Sequence, residues 1–217
     1  SRGRNAEAEA AFRQALKLAP DNARVWSNLG AVLPQLDRYD EAEAAWEKSV
    51  NFHRTASALS NLATRRFFQG RYAEAARKFE EATKLAARDY RIWRNLGAAY
   101  YWAPGERGRA AAAYRTAANL GEQERRLDQR NAPLLAELAD CLALLGESKR
   151  ARTLLAEALK LEPGNNYVTQ MAVGIYETLG DRDAALRCLD AALKAGYSRD
   201  QIEHDPFLAG LRADPRY

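Results

Sequence analysis

Between Tyr90 and Ala117 the apolar and small positions follow a helical rhythm. Trp93, Leu96, Gly97 and Tyr100 fall at spacings of three, one and three, which places them on one face of a helix. After a break at Ala103-Pro104-Gly105, Ala110, Tyr114 and Ala117 mark one face of a second helix. Gly97 and Ala110 are small enough for two antiparallel helices to approach closely, while Trp93 and Tyr114 can reach a neighbouring pair. One pair of this kind cannot bury its apolar face alone, so the sequence is expected to repeat and the copies to stack.

It does repeat. The pattern Ala-x-x-x-aromatic-x-x-small recurs at Ala8, Phe12, Ala15, at Ala42, Trp46, Ser49 and at Ala75, Phe79, Ala82. Leucine replaces the aromatic residue at Ala151, Leu155, Ala158 and at Ala185, Leu189, Ala192. The intervals between the leading alanines are 34, 33, 35, 41 and 34 residues. Each full copy begins with a helix of the first type, as in Trp26, Leu29, Gly30, Leu33 or Leu135, Leu138, Ala139, Leu142.

Residues 5–18 read as a return helix without its first helix, and the chain carries no initiator Met, which implies a piece of a longer protein. First and return helices are predicted at 23–35 and 39–51, then at 56–68 and 72–86. Pro34 is expected to bend or end the first of these. The return helix after Gly105 runs on through Leu127 with no Pro to stop it, which accounts for the interval of 41. Within one array over 1–217, this extension suggests a first block to residue 128, a second over 131–197 and a cap over 198–217. In the cap, Ser198 with Gln201 reads as a capping box and Asp205-Pro206 as a helix start. Ile202, Phe207, Leu208 and Leu211 are expected to cover the last exposed helix face.

The offsets of Trp, Leu, Gly, Tyr, Ala, Phe, Ala and Pro resemble the tetratricopeptide repeat. The resemblance implies an all-α, right-handed superhelical solenoid of antiparallel helix pairs, here one half repeat, five full repeats and a C-terminal cap. The tail GYSRDQIEHDPFLAGLRADPRY and the segment YYWAPGERGRAAAAY are similar to the repeat region of bacterial signalling proteins, where repeats accompany a serine/threonine kinase, a nucleotide cyclase or a winged-helix domain. In arrays of this family, positions 2, 5, 6, 9, 12 and 13 of each unit face a concave groove. Carried over residue by residue, they give a peptide-binding groove of Arg24, Asn28, Ser57, Asn61, Thr64, Phe68, Arg91, Arg94, Asn95, Tyr101 and Trp102. Asn28, Asn61 and Asn95 occupy one equivalent position. A side-chain amide offers a donor and an acceptor, which matches the alternating groups of an extended backbone. The arginines suit acidic side chains or a terminal carboxylate, and the aromatics an apolar anchor. The partner implied is a protein or extended peptide. In the fourth and fifth units Asn is absent and the charge turns acidic, with Glu137, Asp140 and Glu177.

Composition changes this picture little. There are 33 Lys and Arg against 29 Asp and Glu, net +4, with a pI near 9.1. The signs are interspersed, as on a solvated helical surface, so a nucleic-acid partner is a rival reading and not the first one. Packing on other domains or on a second copy is another. No nucleophile sits with a base and no cluster has metal spacing, so no catalysis, cofactor or metal is expected. Cys141, Cys188, His53 and His204 are each solitary, and the cysteines read as core residues that leave the compartment open. No run of apolar residues is long enough to span a membrane.

Overall fold

The computed structural model describes residues 2–217, and among them every regular element is helical. α1 (Arg2–Leu18) is the first element among the described residues. Five pairs follow: α2 (Ala23–Val32) with α3 (Tyr39–Phe52), α4 (Ala56–Phe68) with α5 (Tyr72–Leu85), α6 (Tyr90–Trp102) with α7 (Arg107–Arg125), α8 (Ala132–Leu144) with α9 (Ser148–Leu161), and α10 (Asn166–Thr178) with α11 (Arg182–Lys194). The chain closes on α12 (Arg199–His204), a 3-10 turn (Pro206–Leu208) and α13 (Ala209–Arg212).

Each first helix starts on a side-chain cap. Asn22, Thr55, Asp89, Asn131 and Asn165 sit in extended backbone, and each accepts a hydrogen bond from an N–H of the first turn. Such caps are worth about 0.5–2 kcal/mol each and fix where the helix begins. The turn from first to return helix passes through one left-handed residue. Glycine holds that place in the later pairs, as at Gly70 (φ 75°), whereas Asp37 (φ 62°) holds it in the first. Pro34 has the expected effect: α2 stops at Val32, and residues 33–36 tighten into a 3-10 turn before Asp37. The extension of α7 ends at Arg125, two residues short of the predicted Leu127.

The chain divides into two compact units, the first ending at Ala87 and the second running from Arg88 to Tyr217. Within the second unit α7 packs on α8. In the first unit Leu16, Leu29, Leu33, Ala42, Ala45, Trp46 and Leu62 form one core, with Phe12, Val25 and Trp26 packed against it. Ser49 stays buried because its hydroxyl donates to the Ala23 carbonyl at 2.8 Å.

In the second unit α8 is buried nearly all round. The last pair and the cap share a core of Val173, Ala185, Leu189, Ala192, Ile202, Leu208 and Leu211. Three of the four apolar cap residues thus cover the final helix face as expected. Phe207 does not. The 3-10 turn started by Asp205 and Pro206 points it the other way, toward α6.

Small residues set the spacing within pairs. A Cβ on Gly30 would come within 2.4 Å of the Trp46 ring, and one on Gly97 within 2.8 Å of the Tyr114 ring. Tyr114, expected to serve a neighbouring pair, therefore lies first of all over Gly97 of its own.

Candidate functional site

The predicted groove residues lie on the first helices, and the two units present them differently. On α2 and α4, which pack on each other, Arg24, Asn28 and Ser57 are exposed and Asn61 is half-buried. Among the described residues the side chains of Arg24, Asn28 and Asn61 take no hydrogen-bond or charge partner. Their donors and acceptors are therefore open to a ligand. The Thr64 hydroxyl is committed, donating to the Ser60 carbonyl at 2.9 Å within its own helix. Phe68 packs edge-on against Phe67, ring centres 5.6 Å apart, and remains half-buried.

On α6 the equivalent residues are already engaged. Arg91 donates through Nε to both oxygens of Glu137, at 3.1 and 3.2 Å. Arg94 lies 3.6 Å from the same carboxylate and 3.9 Å from Asp140, and donates to the Asn95 amide oxygen at 3.3 Å. The Tyr167 hydroxyl donates to Glu137 at 2.6 Å, and the Tyr90 hydroxyl donates to its other oxygen. Glu137 is only 2% exposed. Burial by itself raises its pKa. The nearby Arg94 charge, the Tyr167 and Tyr90 hydroxyls and Arg91 more than offset this and hold the carboxyl below its ordinary range. Burial likewise pushes the Tyr90 phenol up, and the hydrogen bond to Glu137 adds to it.

Tyr101 and Trp102, at the end of α6, stack edge to face with ring centres 5.4 Å apart. Phe207 packs against both, 5.6 Å from Tyr101 and 5.5 Å from Trp102. Arg107 covers the Tyr101 ring at 4.1 Å and also donates to its hydroxyl. Beside Phe207, the Asp205 carboxylate accepts the Phe207 N–H at 2.9 Å. Its pKa is pushed up to about 6, first by burial and further by Asp140, against the Phe207 N–H and the Arg212 charge.

Sequence reasoning placed Arg91, Arg94, Asn95, Tyr101 and Trp102 in the groove and noted Glu137 as an acidic position of the fourth unit, but it paired none of them with Glu137, Tyr90, Tyr167 or Phe207. One signal was present. Glu137 holds the position that Asn fills in the three preceding units, and two arginines precede it by one repeat. Nothing in the local pattern around Phe207 separates a cap residue from one that folds back.

Among the described residues no group of three or more His, Cys, Asp or Glu is placed to hold a metal ion, and no helix is long and apolar enough to cross a membrane. Cys141 is buried and Cys188 half-buried, both as free thiols.

No curated protein matches this chain in sequence. Solved structures do match. The Thermus thermophilus tetratricopeptide protein TTC0263 is 24% identical, with a TM-score of 0.59 over 86% of this chain and 98% of its own. Pseudomonas aeruginosa pilF is 22% identical, with a TM-score of 0.55 over 93% and 89%. YrrB, described as a tetratricopeptide protein with an unusual peptide-binding site, is 19% identical, with a TM-score of 0.50 over 89% and 96%. At these identities the likeness carries the fold. Three tetratricopeptide-repeat family models match residues 1–37, 21–88 and 60–125. These matches together span more than half of a chain built throughout from helix pairs of this spacing, and the chain belongs to the tetratricopeptide repeat proteins.

Proposed function

We propose that the chain is a scaffold that captures an extended segment of a partner protein on the face of its first helices, with the anchor in the first unit. The observation that carries this is the pair Asn28 and Asn61. They hold equivalent places on adjacent first helices, face outward to different degrees, and leave their amides unengaged among the described residues. Such amides suit the alternating donors and acceptors of an extended main chain and read no side chain. Arg24 supplies an uncompensated positive charge beside them, which favours an acidic side chain or a terminal carboxylate, and Phe68 an apolar contact.

In the second unit Asn95, Arg91, Arg94, Tyr101 and Trp102 hold the corresponding positions on α6. The pairing of both arginines with Glu137 weakens their pull on an acidic partner, so charge preference is set mainly by Arg24. The peptide-binding site ascribed to YrrB supports the general reading. The similarity of the tail and of residues 100–114 to bacterial signalling proteins supports a role in positioning a partner for such a protein.

The test is fluorescence anisotropy with a library of labelled extended peptides. Loss of two hydrogen bonds in the Asn28→Ala, Asn61→Ala double variant weakens binding about fivefold to a hundredfold. Circular dichroism shows that the helices remain. Binding that is unchanged in the folded double variant places the partner elsewhere and removes the reading.

A further inference from the structure

Ile202, Leu208 and Leu211 of the C-terminal cap close the end of the array, yet its 3-10 turn sends one large apolar side chain back onto the first-helix face. The Phe207 ring lies against both Tyr101 and Trp102, two residues at groove positions of α6. The cap does not need this contact to hold. Ile202, Leu208 and Leu211 are buried in the last core, Arg212 ties α13 to the Ile202 and Asp205 carbonyls at 2.7 and 2.8 Å, and Arg182 donates to the Gly210 carbonyl at 2.6 Å. Phe207 itself is only half-buried.

Its approach is fixed by two local devices. Pro206 presets the backbone at the start of the turn, and Asp205 caps it by accepting the Phe207 N–H. The result has the form of a bound peptide: an acidic cap, a proline and an aromatic ring seated on an aromatic pair, a geometry favoured between rings.

We propose that the Tyr101–Trp102 pocket is a recognition site for an aromatic side chain that follows a proline, closed in cis by Phe207, so that a partner engages this unit only by displacing the chain's own turn. This deepens the function proposed above and rests on that reading for its biological partner, but not for its test. The closing turn is also tuned by charge. The charges that act on Asp205 are Asp140 of α8 and Arg212 of α13, and Asp205 in turn acts on the Tyr197 phenol that follows α11. Burial raises the Asp205 pKa, and in this proposal that burial belongs to the closed turn, so protonation favours closure. That contribution is complete below the ordinary aspartate value and is lost as pH rises through about 6.

The probe is a peptide with the sequence of residues 205–212 carrying Asp205→Asn, amidated at its C-terminus and labelled on its α-amino group with tetramethylrhodamine, so that no group on it titrates between pH 5 and 8. With the pocket filled in cis, the unaltered chain binds it poorly. Phe207→Ala frees the pocket, and the burial of one phenylalanine makes the probe bind about tenfold tighter or more. Adding Trp102→Ala to that variant removes the gain. For the unaltered chain, binding strengthens about tenfold between pH 5 and pH 8 as the cis turn loosens, and Asp205→Asn in the chain abolishes this rise. Equal binding by the unaltered chain and Phe207→Ala, or a gain that survives Trp102→Ala, overturns the proposal. The probe is the chain's own sequence, so such a failure leaves partner capture through Asn28 and Asn61 standing. Conversely, loss of that reading leaves a positive probe result intact.

Discussion

Glu137→Ala is expected to lower stability by about 3–5 kcal/mol, the cost of removing one partner from a buried ion pair. The reason lies in what would remain. Arg94 has a side chain 17% exposed, with only Glu137 and Asp140 as carboxylates near it. Asp140 cannot compensate fully, since burial raises its pKa and weakens its hold on a negative charge. The Tyr90 and Tyr167 hydroxyls lose their acceptor at the same time. Arg91 adds little, because its side chain is 53% exposed and water takes over its charge.

The double change Glu137→Leu, Arg94→Met removes the unpaired arginine and recovers part of the loss, as buried pairs exchanged together for apolar residues are often neutral, while the Tyr90 and Tyr167 hydroxyls still lack their acceptor. Urea midpoints of the three variants measure this. Glu137 also sets a sign for pH. Its folded pKa is depressed, so its contribution is present above the ordinary glutamate value and disappears as pH falls through the lowered one. The alanine variant therefore shows a shallower loss of stability in acid than the parent chain. Equal stability of the parent and Glu137→Ala at neutral pH would mean that water, not the carboxylate, satisfies Arg94.

The second large effect is expected at Gly97. Any Cβ there meets the Tyr114 ring at 2.8 Å, and Tyr114 is 1% exposed with no free space to enter. Gly97→Val adds three carbons into that contact and costs about 1–3 kcal/mol or more from overpacking. The proper control is Gly174 in α10, where an added Cβ meets nothing within 4 Å. Gly174→Ala stabilises by about 0.5–1 kcal/mol, because alanine loses less backbone freedom on entering a helix. Opposite shifts of the two denaturation midpoints tie the stability of the repeat to the aromatic-on-glycine contact. A destabilising Gly174→Ala, or a neutral Gly97→Val, would break that link.

These contacts show how much the chain discloses before its structure is known. The helix pairs were legible because their signals are local and repeated: an apolar face every three or four residues, a capping residue at Asn22, Asn131 or Ser198, a proline at position 34. Each acts within a turn or two of helix, where the physics is short-ranged. The close approach at Gly97 was legible for the same reason, though which aromatic residue fills it was not. Tyr114 was expected to reach a neighbouring pair, and it covers its own glycine.

The candidate site was less legible because it depends on pairings many residues apart. Arg91 and Arg94 read as free charges until Glu137, more than forty residues on, is brought beside them. Tyr101 and Trp102 read as an open apolar anchor until Phe207 is seated there from over a hundred residues away. Residue type and spacing along a helix give the face on which a side chain lies. They do not give what another repeat or a folded-back turn will place against it. Asn28 and Asn61 differ, since nothing among the described residues reaches their amides.

The central claim is that a partner segment lies along the first helices, and amide hydrogen exchange tests it most directly. With the tightest peptide from the anisotropy screen bound at saturation, exchange should slow in α2 and α4, around Asn28 and Asn61, while α3 and α5 remain as in the free chain. Protection confined to the return helices α3 and α5, with α2 and α4 unchanged, would contradict the account.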